Sequence, residues 1–340
     1  MIVMHKDEII RLFEPFNQLN VLIIGDVMVD SYLWGHVERI SPEAPVPIVS
    51  VKSRENRLGG AANVALNIKA MGANPILCSV VGVDQKAGEF IGLLEDQQME
   101  TRGIVKSTNR ITTTKFRVIG NKVQMLRVDE EDDNLLSQDD STAFIDRFSA
   151  IISENKIDVI IFQDYDKGVI TKELIQHVVS IANEKNIPVA VDPKKKNFIH
   201  YKHVTLFKPN LKELKEGLNI EFDAGNKNKL KEAVSSLKST LDARMVLLTL
   251  SEDGVFIDYE NNGESNNTHL PSHVRNISDV SGAGDTVISV ASLCLAKKVD
   301  PDILAAISNL AGGLVCEKVG VVPVEKQILL TETFKLCIDS

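Results

Sequence analysis

The chain has 340 residues, and 38 Lys+Arg against 47 Asp+Glu leave a formal charge of −9. Hydrophobic residues make up 44% of it, enough apolar surface to offset chain entropy, so general disorder is excluded. The acidic balance argues against broad binding to nucleic acid or to an anionic membrane, and the apolar runs are too short to span a bilayer. The length suits one large α/β domain, which we expect to occupy 1–340. Cys78, Cys294, Cys316 and Cys337 form no C-x-x-C pair. They read as small buried residues in a reducing, cytoplasmic setting rather than as a zinc or disulfide framework.

In chain order, Met1 to Asn20 mixes charges with apolar residues and is no secretory leader. It predicts an amphipathic helix with Ile9, Ile10, Leu12, Phe13 and Phe16 near one side. Val21–Ile24 predicts a buried strand ending at Gly25-Asp26. Residues 31–58 carry Pro42, Pro45, Pro47 and short β-branched stretches, which predict a small sheet or flap. Gly59-Gly60 opens a helix over 61–68, followed by a strand at 76–83 and a helix at 88–98. A second β-rich stretch runs over 103–128 with a turn at Gly120-Asn121, and the two β-rich stretches are expected to pair as one accessory sheet, a lid. The acidic run Asp129–Asp133 reads as a solvated loop. Strands at 158–162, 189–191, 204–207 and 245–250 then alternate with helices at 141–155, 171–184, 211–218 and 228–240. Such alternation implies a mostly parallel sheet covered on both faces.

The segment richest in chemistry is Asp279-Val-Ser-Gly-Ala-Gly-Asp-Thr286, followed by an apolar run through Cys294 that reads as helix. Glycines at 282 and 284 let the backbone approach a ligand, and unpaired N–H groups at a helix N-terminus make an anion hole. A carboxylate there, Asp285, can accept a proton from an attacking hydroxyl while Gly282, Ala283, Gly284 and Asp285 hold a phosphoryl group through their N–H groups. The competing reading is a Gly-rich turn with Asp285 as a helix cap. No Walker A, G-x-G-x-x-G after the first strand, H-E-x-x-H or G-x-S-x-G sequence is present.

The Asp279–Thr286 segment resembles the C-terminal signature of the ribokinase-like (PfkB) carbohydrate kinases. Gly25-Asp26-x-x-x-Asp30, Gly59-Gly60-Ala-Ala-Asn63, Asn210-x-x-Glu213 and Thr249-Leu-Ser-Glu-Asp-Gly254 resemble its other motifs, in the family's order. The resemblance implies a three-layer α/β/α ribokinase-like fold with a small β-sheet lid, and ATP-dependent phosphorylation of a carbohydrate. Within the family, Ile40–Ile48, Gln124–Asp129, Gln163–Gly168 and Val191–Lys194 are similar to kinases that phosphorylate D-glycero-D-manno-heptose 7-phosphate at O1 for ADP-heptose and surface-glycan synthesis. No H-x-G-H is present, so the likeness is to the stand-alone kinase. Ser281 stands where Thr is common, and Lys195-Lys196 where a Gly is often found.

The resemblance implies Asp285 as general base, and Asp30, Gly59, Gly60 and Asn63 as the sugar site. It implies Asn210 and Glu213 as organisers of the ATP phosphates and of Mg²⁺ held largely through water. The residues alone also allow a capped helix start at 210–213 and a strand-end turn at 59–63. A sugar phosphate needs cations, and the candidates are Lys115, Arg117, Arg127, Lys167 and Lys194. Ser251 and Gly254 are expected to border the ATP phosphates, and Asn309 to reach the adenine or ribose. K⁺ is expected near Asp279 and the carbonyls around Lys318 and Gly320. Tyr32 and Trp34 lie in the lid and could stack on substrate or pack a homodimer contact, the family's usual pairing. A sugar kinase with an unphosphorylated acceptor, and a catalytically silent nucleotide- or sugar-binding regulator, remain open at this point.

Overall fold

β1 (Asn20–Gly25) holds the unbroken apolar run Val21–Ile24, and a run of that kind is stable only where both strand faces are covered. In the computed structural model, which describes residues 5–223, 225–261, 263–273 and 275–338 with side chains to 335, this is so. Val21 and Ile23 point into one apolar cluster, Leu22 and Ile24 into another on the opposite face. β1 lies parallel between β4 and β8.

Before β1 comes α1 (Lys6–Phe13), with Ile9 and Phe13 buried as its amphipathic pattern predicts, and a 3₁₀ turn that buries Phe16. After β1 follow β2 (Val27–Ile40), β3 (Pro47–Gly60), α2 (Ala61–Ala70), β4 (Asn74–Gly82), α3 (Gln85–Asp96), β5 (Ile104–Ser107), β6 (Thr114–Gly120) and β7 (Val123–Glu130). Then come α4 (Gln138–Glu154), β8 (Val159–Gln163), α5 (Lys172–Glu184), β9 (Val189–Asp192), β10 (Leu206–Phe207), α6 (Leu211–Leu218) and α7 (Lys227–Leu241). The chain continues through β11 (Met245–Thr249), β12 (Val255–Asn261), β13 (Glu264–Leu270), α8 (Ala283–Ala296), α9 (Pro301–Val315) and α10 (Lys326–Ile338).

The large sheet has nine strands in the order β13-β12-β11-β10-β9-β8-β1-β4-β5, parallel except for the antiparallel β12 and β13 at one edge. α2, α8 and α9 cover one face; α4, α5 and α7 cover the other. This is the three-layer α/β/α arrangement. Among the described residues no helix is long and apolar enough to cross a membrane.

The small sheet, in the order β3-β2-β6-β7, is the expected lid, with different bounds. It begins at Val27, one residue after β1, and ends at Glu130. Ile104–Ser107 does not belong to it: β5 pairs parallel with β4 at the edge of the large sheet, where Ile104 and Val105 are both buried. The turn closes β6 onto β7 with Asn121 and Lys122 both at positive φ, the primed geometry that suits strand twist. Asp129 and Glu130 are strand residues rather than loop, because Lys115 across the ladder neutralises Asp129.

Gly60 joins the lid to α2. Its φ of 61° with ψ of −136° is open to glycine alone, and a β-carbon there would run into the carbonyl oxygen of Asp26. Gly60→Ala should therefore lower stability by about 1–3 kcal/mol. A urea unfolding midpoint equal to that of the native chain would contradict this strain.

Candidate active site

α8 is buried nearly all round, so its sequence is mostly apolar, and its Ser289 and Ser292 hydroxyls donate back to the carbonyls of Asp285 and Ile288. It starts at Gly282, whose φ of 80° lets the chain turn sharply into the helix. The first turn of any helix leaves its N–H groups without intrahelical partners. Here they open into a cleft of about 590 Å³ lined by the carboxyl ends of β8, β9 and β11 and by the loops that follow. That is where open parallel sheets bind ligands. The Ala283 N–H instead closes a 3.3 Å bond onto the Val280 carbonyl, leaving Gly282, Gly284 and Asp285 as the freer donors.

Asp285 is the third residue of α8 and 7% exposed. Asn63 Nδ2, from α2, donates to its Oδ2 at 2.6 Å. Tyr165 Oη donates to Oδ1 at 2.8 Å, and Gln163 Nε2 to the same oxygen at 3.2 Å. Burial pushes its carboxyl up to about 6, with Asp192 adding to the rise, while the Asn63 and Tyr165 hydrogen bonds and the Lys208 charge hold it back. Asp192 is itself buried and pairs with the buried Lys208 at 3.1 Å. A β-carbon on Gly284 would lie 3.7 Å from Lys208 Nζ, so this ammonium stands beside the N-terminus of α8. α2 is locked to α8 by Asn67, which donates to the Asn63 carbonyl and accepts from Thr286 Oγ1 and the Val324 N–H.

Across the cleft, Asn210 caps α6: its side chain accepts from the Glu213 N–H at 2.8 Å, and Glu213 Oε2 accepts from the Asn210 N–H at 2.9 Å. Glu213 also pairs with Lys194. Burial draws the Lys194 ammonium down, but Asp192 and Glu213 outweigh it and hold it above its ordinary value. Lys194, expected to face a sugar phosphate, thus stands beside Asn210 and over the Tyr165 ring, because Glu213 captures it. Ser251, Gly254 and Asn309 line the same part of the cleft, and Asn309 Nδ2 donates to the Pro271 carbonyl at 2.9 Å.

The lid brings the other candidates together. Strand alternation and register put Asp30, Tyr32 and Trp34 of β2 on one face with Arg57 of β3, Lys115 and Arg117 of β6 and Asp129 of β7. Asp30 is 5% exposed, accepts from Arg117 Nη1 at 2.6 Å and lies against Gly59. Arg57 and Arg117 lie over the Tyr32 ring, and Trp34 stacks beside it, so Tyr32 packs within the lid. Lys115 pairs with Asp129 and Glu131, Lys167 with Glu131, and Arg127 with Asp129. Four of the five cation candidates therefore meet at this face, each already facing a carboxylate.

Asp279 accepts from the N–H groups of Ser281 and Gly320, both at 2.9 Å. Burial pushes its carboxyl up, but those bonds and the Arg117 charge outweigh it and hold it below the ordinary range. Among the described residues no three His, Cys, Asp or Glu side chains gather as a metal cage. The Asn210–Glu213 pair fits an ion held mainly by water and phosphate oxygens, since Glu213 has already committed each oxygen to one donor.

Gln163, Tyr165, Asp192, Lys208, Asn67, Asp26 and Arg57 were not legible as site residues one by one. Asp26, Gln163, Tyr165 and Asp192 lie in segments that carry the resemblance, and position adds a signal: Gln163 and Asp192 end parallel strands, and Tyr165 and Lys208 follow within two residues of a strand end.

A family model, pfkB family carbohydrate kinase, matches residues 18–327. The bifunctional protein HldE of Helicobacter pylori (strain HPAG1) is 39% identical over 300 residues, 88% of this chain and 63% of that protein. Its namesake in Methylobacillus flagellatus is 37% identical over 312 residues, 92% of this chain and 62% of that protein. The chain thus spans less than two thirds of the length of these relatives. Among solved structures, phosphofructokinase-2 from Escherichia coli in complex with potassium superposes with a TM-score of 0.76 at 16% identity, covering 94% of this chain and 99% of that one. Arabidopsis thaliana ribokinase complexed with ribose and ATP gives 0.68 at 15% identity, covering 92% and 98%. At such identities these two show the fold.

Asn63 makes the hydrogen bond that does most to hold the Asp285 carboxyl down. Asn63→Leu should therefore move its titration above the native value of about 6. Carbon-13 NMR of the Asp285 carboxyl, assigned with Asp285→Asn, reads this directly; an unchanged or lower midpoint would refute the coupling.

Proposed function

The chain belongs to the pfkB family of carbohydrate kinases and is an ATP-dependent sugar kinase, and from that premise we propose that it phosphorylates D-glycero-D-manno-heptose 7-phosphate at O1. The observation that carries this reading is the cation cluster on the inner face of the lid. Lys115, Arg127 and Lys167 surround only two carboxylates, Asp129 and Glu131, and Arg117 adjoins them on Asp30. A neutral sugar would have no need of it, whereas a phosphate dianion requires several such donors. The identity with HldE proteins over most of the chain supports the same assignment.

In this reading Asp285 takes the proton from the acceptor hydroxyl as that oxygen forms its bond to the γ-phosphorus, and the bond to the departing ADP oxygen breaks. The N–H groups of Gly282, Gly284 and Asp285, the α8 dipole and the Lys208 ammonium neutralise charge on the transferring group. Asn63 Oδ1 and Gln163 Oε1 are buried without partners, so each is free to accept a hydrogen bond from a sugar hydroxyl next to the base. Asp30 and the backbone at Gly59 and Gly60 complete the sugar pocket. Asn210, Glu213, Ser251, Gly254 and Asn309 border the nucleotide. Asn210 and Glu213 would hold Mg²⁺ through water, where it would neutralise the ATP phosphates, and the surroundings of Asp279 would hold K⁺. Leu126 and Val128, 56% and 45% exposed on the outer lid face, support pairing of two copies through the lid.

ADP release from Mg·ATP, measured with a panel of acceptors, tests the substrate. Turnover is expected with the 7-phosphorylated heptose and not with free heptose, ribose or fructose; turnover with an unphosphorylated sugar would transfer the assignment to another sugar kinase. Asp285→Asn should lower kcat by about 10²–10⁴ with little change in KM. The base must be ionised, so activity should fall as pH drops through about 6 and plateau above it. A flat profile between pH 5 and 8 would exclude Asp285 as the titrating base.

A further inference from the structure

Asp26 is the single residue between β1, at the centre of the large sheet, and β2, the first strand of the lid. It is 1% exposed. Its Oδ2 accepts from the N–H groups of Tyr165 at 2.8 Å and Lys167 at 3.2 Å, and its Oδ1 from Val169 at 3.1 Å. Its main chain works in the same direction. The Asp26 N–H donates to the Gln163 carbonyl at 3.3 Å, and the Asp26 carbonyl accepts from Ala61 at the start of α2 at 2.9 Å.

The loop held in this way is unusual in shape. Asp166 and Gly168 both sit at positive φ, 56° and 85°, which turns alternate N–H groups inward toward one anion. A carboxylate alone among side chains offers two acceptor oxygens and no donor. Neighbouring Asp164 cannot replace it: its Oδ1 accepts the Asp166 N–H, and its Oδ2 is bound by Asn197 and Tyr201. At one end of the loop, Tyr165 places its hydroxyl on Asp285 at 2.8 Å; further along, Lys167 reaches Glu131 just past the lid.

We propose that Asp26 is a positioning residue for phosphoryl transfer: by clamping the backbone of 165–169, it aims the Tyr165 hydroxyl at Asp285 and so fixes the orientation of that carboxylate toward the acceptor. The inference rests on the reading of Asp285 as the base. Asp26 touches no reacting atom and acts through Tyr165.

A double-mutant cycle tests it. Asp26→Asn places an amide donor against backbone N–H groups, and Tyr165→Phe removes only the hydroxyl. Each should lower kcat about ten- to a hundredfold, with KM for ATP nearly unchanged because the N-terminus of α8 is untouched. The double variant should be no slower than the slower single variant. Losses that multiply, or Tyr165→Phe at the native kcat, would overturn the proposal. Circular dichroism checks folding; Asp26→Ser, which loses the clamp without adding an amide donor, stands in if Asp26→Asn does not fold. If neither folds, Tyr165→Phe at the native kcat still overturns the proposal. The assay uses whichever acceptor the native enzyme turns over, so failure of the heptose assignment leaves the variant ratios readable, and failure of Asp285 as base shows separately in Asp285→Asn.

Discussion

A carboxylate taken out of water must be held by donors or it protonates. Asp285 occupies that position, and its donors come from two separate parts of the chain: Asn63 from α2, and Gln163 and Tyr165 from the end of β8 and the loop just beyond it. Each reaches Asp285 only if α2 and α8 pack side by side on one face of the sheet and β8 ends beneath them. The Asn67 amide, bonded to Asn63, Thr286 and Val324, keeps that packing in register. The balance between burial and these donors leaves the carboxyl near 6, ionised at neutral pH and basic enough to take a proton.

The lid depends on the same junction. Its first strand leaves β1 after Asp26, and its second returns through Gly59 and Gly60 into α2, whose first turn carries Asn63. Sheet, lid and the helix that carries Asn63 to Asp285 therefore meet at one junction. On the inner face of the lid, cations and carboxylates neutralise one another across neighbouring strands. Such pairs contribute modestly to stability where water reaches them, but they hold long side chains together on one face of the small sheet. A phosphate entering there would exchange carboxylate partners for its own oxygens rather than organise loose side chains.

Much of this was legible without coordinates. The apolar run at 21–24, the helix–strand alternation after Asn134 and the Gly-Ala-Gly-Asp turn before an apolar helix each follow from local chemistry and imply a mostly parallel sheet covered on both faces; the structure bears that out, together with the ribokinase-like fold that the motif resemblance implied. Boundaries failed where a short segment lacks its own signal. Ile104–Ser107 has four residues with strand character, and whether they extend the lid or the large sheet depends on which edge is free to pair. Asp129 reads as part of a solvated acidic run until Lys115, fourteen positions away, is seen opposite it.

The division has a simple physical origin. Residue order fixes what short-range forces settle: which stretches must be buried, where the backbone needs glycine, where a helix begins and offers N–H groups to an anion. It also marks Asp285 and Asn63 as chemically apt. The surroundings that tune them are contacts between residues far apart in the chain, 222 positions for Asn63 with Asp285 and 120 for Tyr165 with Asp285. Between residues so far apart in the chain, a hydrogen bond or ion pair acting over a few ångströms leaves no trace in the spacing of its partners. Hence the buried Lys208–Asp192 pair beside Asp285, the capture of Lys194 by Glu213 and the hold of Asp26 on 165–169 emerged only once folding had brought those groups together.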